Sequence, residues 1–572
     1  MRACSTLCRR IQPSANFFSS SSAGAQIVRP YNHLSRSHLA PHYLPRHETR
    51  SASSFWISIS LLAVGGGAWI HHYFTSNDLS LSAHTRPPPQ EPFLEVIDTL
   101  RNMPVEPAPG TVGTLTPEQE AKLQELWVLT LKVFGVDLQA LEADAKNKET
   151  ADAAANSGKK DKSSKRRWGL WGRSNDDEGD DDKSVSSASG ITAGLASINV
   201  TDGDDKYGQS KEFQQALVDM SPEEIRTAFW NMVKQDHPDG LLLRFLRARK
   251  WDVKKALVMM ISTMRWRLQE VHVDDDIMAN GEATALKQSQ SSDAAEKKKG
   301  DDFLYQIRKG KSFLHGVDRF GRPICVVRVR LHHAGDQEAE GLERFTVYTI
   351  ETARLLLAPP VETATIIFDM TDFSMANMDY TPVKFMIKCF EANYPESLGA
   401  VLIHKAPWLF SSIWSIIKGW LDPVVAAKIN FTKNREDLEA FIPPNQIMKE
   451  LGGDEDWEYE YAEVKEGENS MMEDTATRDK LISERQDLAK DIQAITIEWI
   501  RASFKQESQA AAAAKEKRDG LVEQLRKQYW VLDPYIRTRS IYDRLNIIKG
   551  DGKIEFYPGA EKKADEHASQ GQ

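Results

Sequence analysis

The sequence predicts an α/β fold, a mostly parallel sheet with flanking helices, preceded by a helical subdomain. Three observations predict it. Short apolar runs recur between residues 303 and 455, at Ile324 to Val329, Ala364 to Met370, Ala400 to Ile403 and Ile429 to Phe431, each the length of a buried strand and bounded by turn residues. Helical patterns alternate with them, at Ala339 to Leu357, from Thr381-Pro382 to Tyr394, and from Trp408 to Leu421, and such alternation argues crossover connections. Upstream, residues 107–279 carry capped helical patterns and no strand pattern.

In chain order, the sequence opens on a basic stretch. Residues 1–50 hold seven Arg and one acid, Glu48, whereas the whole chain stands at −10. The negative charge therefore lies downstream, which is not the pattern of a nucleic-acid-binding chain. An Arg- and Ser-rich start without acids has the composition of a mitochondrial transit peptide, so residues 1–54 are read as a leader; a merely basic tail is the plainer alternative. Phe55 to Phe74 contains no Asp, Glu, Lys or Arg and is long enough to span a bilayer's hydrocarbon core. Trp56, Trp69 and Tyr73 stand near its ends, as interfacial aromatics do. Residues 55–75 are thus expected to be a single-pass anchor on a mitochondrial membrane, or else an uncleaved signal-anchor for another membrane. Residues 76–106 are a Pro-rich linker. The four Cys, Cys4, Cys8, Cys325 and Cys389, form no disulfide framework.

Thr116 is a good N-cap, Pro117 suits the first helical position, and acids fill the first turn of a helix over Pro117 to Val133. Residues 144–206 interrupt, with a basic run (Lys159 to Arg167), Trp168 and Trp171, an acidic run (Asp176 to Asp182) and Ser/Gly/Ala-rich sequence. Such composition buries too little apolar surface to order itself and reads as a disordered insertion; the basic run beside two Trp could instead touch anionic lipid. Ser221-Pro222-Glu223-Glu224 starts the next helix. Arg244, Arg247 and Arg249 then give one basic edge to a Leu/Phe-striped helix, for which solvated or paired arginines are the plain reading. Ala256 to Val271 is a further helix, and 280–302 reads as a second polar insertion.

In the 303–455 domain, His315 to Pro323 is a turn between two strands. The centre of the domain is Asn393 to Phe431. Within it, Trp408 to Leu421 has Lys418 as its only formal charge, so it is either deeply buried or faces something apolar that is not protein.

Tyr394-Pro395-Glu396, the Ala406-Pro407 turn, the apolar helix, Leu421-Asp422-Pro423-Val424 and Lys428 occur in an order that resembles the CRAL-TRIO lipid-binding family, in its fungal phosphatidylinositol transfer branch. The Asp239 to Val253 stretch is similar to that family's N-terminal helical motif, Pro109-Gly110-Thr111 to the turn before its first helix, and Gly452-Gly453 to its closing Gly-Gly. The resemblance covers residues 107–126 and 240–453. It implies the CRAL-TRIO fold, with the sheet and helices over an apolar pocket that holds a phospholipid and exchanges it at membranes. It implies Glu396 and Lys428, 32 positions apart, as headgroup residues, with Arg249 helping the phosphate. Lys428 would meet the phosphate as a point charge and Glu396 would accept from inositol hydroxyls. It implies a gate helix carrying Phe410, Ile413, Trp414, Ile417, Gly419 and Leu421, with Gly419 as a hinge. There are departures: Val425 stands where a phosphate-contacting hydroxyl is typical, and Ala364 and Ile366 stand where hydroxyls for a choline lipid are expected. Phosphatidylinositol is therefore the expected ligand.

Asp474 to Trp530 is a long charged helical stretch with an apolar patch at Ile492, Ile495, Trp499 and Ile500, suited to packing on the core or on a partner helix; it belongs to an extension over 456–558 that ends in a possible strand, Lys553 to Tyr557. Residues 559–572 read as a disordered tail. The sequence has no Gly-rich phosphate loop, no Cys/His metal spacing and no nucleophile elbow, so the expectation is a non-enzymatic protein with no metal, no catalytic residue and no cofactor beyond its phospholipid. Two alternatives stay open: a sensor or carrier of another hydrophobic ligand (a sterol, isoprenoid or haem), and a membrane tether with a vestigial pocket.

Overall fold

The computed structural model describes residues 107–139, Leu195, Ile198 and 205–557. The leader, the anchor, the linker, most of the 144–206 insertion and the tail lie outside the described residues. Among the described residues no helix is long and apolar enough to cross a membrane. The two longest, of 30 and 29 residues, carry charged side chains throughout. The expected placement as a single-pass protein of the mitochondrial membrane is corrected on this finding.

Five helices build the first layer. α1 (Pro117–Val133) starts as its sequence dictates: Gln119 N donates to Thr116 Oγ1 at 3.3 Å, and Thr116 N donates to Gln119 Oε1 at 3.0 Å. α2 (Gln209–Asp219) and α3 (Pro222–Val233) follow, the latter with a second capping box from Ser221 to Glu224. α4 (Pro238–Ala248) and α5 (Val253–Arg265) bury their Leu and Met stripes against α1 and α3. Leu195 and Ile198 are buried in the same core. The distal end of the insertion, expected to be disordered, thus contributes two apolar side chains to the fold.

Residues 280–302 are not a loop-like polar insertion. They form most of a hairpin of α6 (Ala279–Ser289) and α7 (Ala294–Arg308), the second capped by Asp293. The helices approach closely at Gly300, where a Cβ would stand 2.4 Å from the Ala285 carbonyl oxygen. Glycine there permits packing that the polar composition hid.

The sheet has strand order β1 (Ser312–Val317), β2 (Pro323–Arg328), β3 (Ala364–Asp369), β4 (Leu398–His404), β5 (Ile429–Thr432). Only the β1–β2 hairpin is antiparallel. Its turn is held by Asp318, whose Oδ1 accepts from Phe320 N at 2.9 Å and Arg322 N at 3.0 Å. Between strands run α8 (Ala339–Leu355), α9 (Tyr380–Lys388), α10 (Phe410–Lys418) and the short α11 (Pro423–Ala426). A π-turn, Cys389–Asn393, continues α9. The sheet's two faces follow from the strand period of two. Ile324, Val326, Ile367, Ala400 and Leu402 pack against the segment after β5, which contains α12 (Arg435–Glu439) and closes at Leu451. Cys325, Ile366, Val401 and Ile403 face the other way, toward a cluster that includes α8 and α10. Cys325 and Cys389 are both free and buried. Gly453 has to be glycine, since a Cβ would sit 2.0 Å from the Ile447 carbonyl oxygen.

The long charged stretch is two helices rather than one. α13 (Thr475–Phe504) and α14 (Ser508–Ile536) form an antiparallel hairpin around Gln506, which sits at φ +59°. Its apolar patch does not face solvent: Ile492, Ile495, Trp499, Ile500, Val522 and Leu525 join the core of α1 and α3–α5. α15 (Ile541–Arg544) follows and docks on Glu282, whose carboxylate accepts from Ile541 N and Tyr348 Oη and pairs with Arg544. The strand expected at Lys553 to Tyr557 is reduced to one antiparallel bridge, Ile548 with Ile554.

Candidate functional site

Glu396 and Lys428 come together. Glu396 ends the turn into β4, and Lys428 immediately precedes β5; because the two strands are parallel neighbours, both residues reach the same edge of the sheet. Lys428 Nζ stands 3.4 Å from Glu396 Oε2, with both side chains about a quarter exposed. A pair this accessible contributes roughly 0 to 1 kcal/mol, so it is not what holds the fold. Glu396 is also held at φ +55°, a conformation unfavourable to a residue with a Cβ. Backbone strain of this kind is retained mainly where a side chain must be aimed.

Arg249 is placed differently. Its Nη2 donates to Gln209 Oε1 at 2.5 Å, and Gln209 Nε2 in turn donates to Ala392 O at 3.2 Å. It thereby braces the π-turn that leads into the Glu396 turn. Its hydrogen bonds to Gln209 and to the Ala248 carbonyl oxygen do not reach Glu396 or Lys428. Arg244 and Arg247 are paired, with Asp236 at 3.2 Å and Glu362 at 2.9 Å, as the plain reading of those residues expects.

The gate segment is amphipathic rather than apolar on most faces. Phe410, Ile413 and Ile417 point inward onto the sheet-face cluster, and Trp414 and Leu421 pack at its margin. Ser411, Ser412, Ser415 and Lys418 occupy the outer face. Two apolar side chains break that polar face, Trp408 at 88% exposure and Ile416 at 48%. Val424 and Phe431 are exposed nearby in the chain. Gly419 lies at φ −68°, ψ −16°, ordinary helical values, so it has no left-handed geometry to mark it as a hinge.

A latch at the end of this segment went unread in the sequence. The Glu391 carboxylate accepts from Tyr207 Oη at 2.7 Å, from Lys206 Nζ at 2.7 Å and from Asp422 N at 2.7 Å. Lys206 also donates to the Trp420 carbonyl oxygen. Burial and the Glu391 carboxylate push the Tyr207 hydroxyl's pKa far up, so it stays a donor. Trp420 is further held edge-on to Tyr380 at 5.2 Å, with Lys384 Nζ 4.8 Å from its ring centroid. Lys206 and Tyr207 adjoin a segment of disordered composition, and this obscured their role.

The site thus consists of a mostly parallel sheet, one apolar face covered by an amphipathic helix, and a polar pair beside β4 and β5. Comparison with known proteins agrees. The CRAL/TRIO domain model matches residues 307–453, and the model of its N-terminal domain matches 209–262. Phosphatidylinositol transfer protein CSR1 of Eremothecium gossypii is 42% identical over 450 residues, 77% of this chain and 99% of that protein. A CRAL-TRIO domain-containing protein of Schizosaccharomyces pombe is 49% identical over 327 residues, 57% of this chain and 69% of that one. A second from the same organism is 29% identical over 348 residues, 59% of this chain and 90% of that one. The chain belongs to the CRAL/TRIO family of lipid-binding and lipid-transfer proteins.

Proposed function

We propose that the protein holds phosphatidylinositol between the sheet and α10 once that helix moves off the sheet, and exchanges it at membranes. The observation that carries this reading is the Glu396–Lys428 pair, 3.4 Å apart at the sheet edge and accessible to a headgroup. Lys428 neutralises the phosphodiester, and Glu396 accepts from inositol hydroxyls. Choline lipids fit less well, because Ile366, where a hydroxyl would be needed, is buried in the apolar cluster. A diacyl lipid carries on the order of 30 methylenes, each worth about 0.8 kcal/mol out of water, so a carrier has to cover the chains fully and uncover them only at a membrane. The inward Phe410, Ile413 and Ile417 supply the cover, and the exposed Trp408 and Ile416 supply a surface that can dip into the bilayer interface.

Lipid mass spectrometry of the purified chain tests this. Lys428→Ala and Glu396→Ala are each expected to lose phosphatidylinositol while their melting temperatures stay near the unmodified value, since an exposed pair contributes little stability. Normal loading of both variants would remove the assignment.

A further inference from the structure

The chain just before α2 reaches the end of α10. Lys206 Nζ donates to the Trp420 carbonyl oxygen and to the Glu391 carboxylate, which also accepts from Tyr207 Oη and from Asp422 N. The Trp420 carbonyl lies just past the C-terminal end of α10, where the aligned peptide dipoles favour a cation. Asp422 in turn caps α11, its Oδ1 accepting from Val424 N at 2.8 Å. Glu391 and Lys206 together therefore hold the corner between the covering helix and α11.

Glu391 is fixed in place. It sits in the π-turn Cys389–Asn393, whose Ala392 carbonyl oxygen accepts from Gln209 Nε2 and from Thr263 Oγ1, each at 3.2 Å. Just beyond the turn, Tyr394 is buried and its hydroxyl donates to Glu351 of α8 at 2.8 Å. The Lys206 backbone is anchored too: Asp205 accepts from Ser210 N at 3.2 Å, and Ile198 shortly upstream is buried in the helical layer. The Glu391 side chain is 5% exposed, whereas that of Lys206 is 48% exposed and able to swing aside.

A lipid can pass only when α10 leaves the sheet. Trp420 and Asp422 then part from Lys206 and Glu391, so these bonds exist only with the helix down. Contacts made in one of two states shift the population toward that state. We propose that Lys206 and Glu391 lock α10 onto the sheet, so that the N-terminal helical layer sets how fast the bound lipid exchanges. The inference rests on the reading of α10 as the moving cover. Lys206 and Tyr207 lie outside both family-matched stretches, 209–262 and 307–453, so the basic side of the lock is not part of the matched pattern.

Hydrogen–deuterium exchange of the full chain, read beside transfer of labelled phosphatidylinositol between vesicles, tests the proposal. Lys206→Met and Glu391→Gln are each expected to raise deuterium uptake over residues 410–422 while β3 and α8 stay unchanged. Each should also speed transfer roughly tenfold, the worth of one hydrogen bond to a charged group. Phosphatidylinositol content and melting temperature should hold, because Glu396 and Lys428 are untouched and Lys206 is half-exposed. Lys206→Arg keeps the cation and its donors and should behave as the unmodified chain. The lock is overturned if both variants leave uptake over 410–422 unchanged, or if Lys206→Arg is as loose as Lys206→Met. Uptake raised throughout the chain would also overturn it, by making the contact a general support of the fold. Raised uptake over 410–422 with unchanged transfer would overturn the control of exchange, and would count against α10 as the lipid's cover rather than against the contact.

Discussion

At Asp239 of α4 two other helices meet on one carboxylate, and a third is tied in through Arg518. Trp127 Nε1 of α1 donates to it at 2.6 Å, Arg518 of α14 pairs with both its oxygens, and Arg518 Nε donates to Thr496 Oγ1 of α13 at 2.7 Å. Burial alone would raise the pKa of this carboxyl, but the Arg518 charge and hydrogen bonds outweigh it and bring the value to about 2. An unfolded Asp titrates near 3.9, so the folded pKa is depressed. Its stabilising contribution, about 2 to 3 kcal/mol, is present above roughly pH 4 and is lost as pH falls toward 2. Asp239→Asn leaves Arg518 buried without its counter-charge, which costs roughly 3 to 5 kcal/mol near neutrality. Urea melts from pH 6 to 2 should show the gap between the two proteins narrowing below pH 4. A gap that stays constant with pH would mean that Asp239 is not ionised in the fold.

At the scale of the element, α10 separates two roles that the sequence ran together. The residues Phe410 to Leu421 read as apolar on most faces because Trp, Ile and Phe are frequent there, yet Ser411, Ser412 and Ser415 fall on one face once the helix is formed. Ile413→Ala removes a buried side chain and is expected to cost roughly 2 to 5 kcal/mol. Trp408→Ala removes an exposed one and should leave the melt nearly unchanged while slowing transfer of labelled phosphatidylinositol between vesicles. If Trp408→Ala transfers at the normal rate, the outer face is not the docking surface. The same contrast shows what sequence can and cannot give. Helix starts at Thr116 and Ser221 and the strand cores were legible, because caps and buried apolar runs follow local rules, whereas the nearness of Glu396 and Lys428 came only through the family resemblance. The Glu391 latch was not, because its partners Lys206 and Tyr207 lie about 185 positions away beside low-complexity sequence. Nor was the contact of Arg249 with Gln209, which lies 40 positions upstream.

For the molecule as a whole, the question is whether the C-terminal hairpin is an appendage or part of the fold. The sequence reading of packing on the core or on a partner helix leaves that open, since about a third of the residues of α13 and α14 are charged. The burial pattern decides for packing on the core. Ile492, Ile495, Trp499, Ile500, Phe504, Val522 and Leu525 are all buried with α1 and α3–α5. At about 1.5 to 3 kcal/mol per buried apolar side chain, these seven represent roughly 10 to 20 kcal/mol of transfer free energy, an upper figure because the unfolded chain is itself partly collapsed. A domain's net stability is about 5 to 15 kcal/mol, so the fold cannot lose that contribution and remain. Removal would also strand Asp239 without Arg518, Glu282 without Arg544, and the backbone carbonyl oxygen of Lys234 without the Arg485 guanidinium. Ending the chain at residue 466, just after the family-matched region and before α13, should therefore give an aggregating product that binds a hydrophobic dye and shows no cooperative melt. The full chain should melt in one transition that includes the hairpin, because its core is continuous with α1 and α3–α5. Protease digestion followed by mass mapping decides between the two views. Early cuts within 475–536 that leave a folded, lipid-loaded remainder would make the hairpin an appendage; resistance of that region until global unfolding would make it structural.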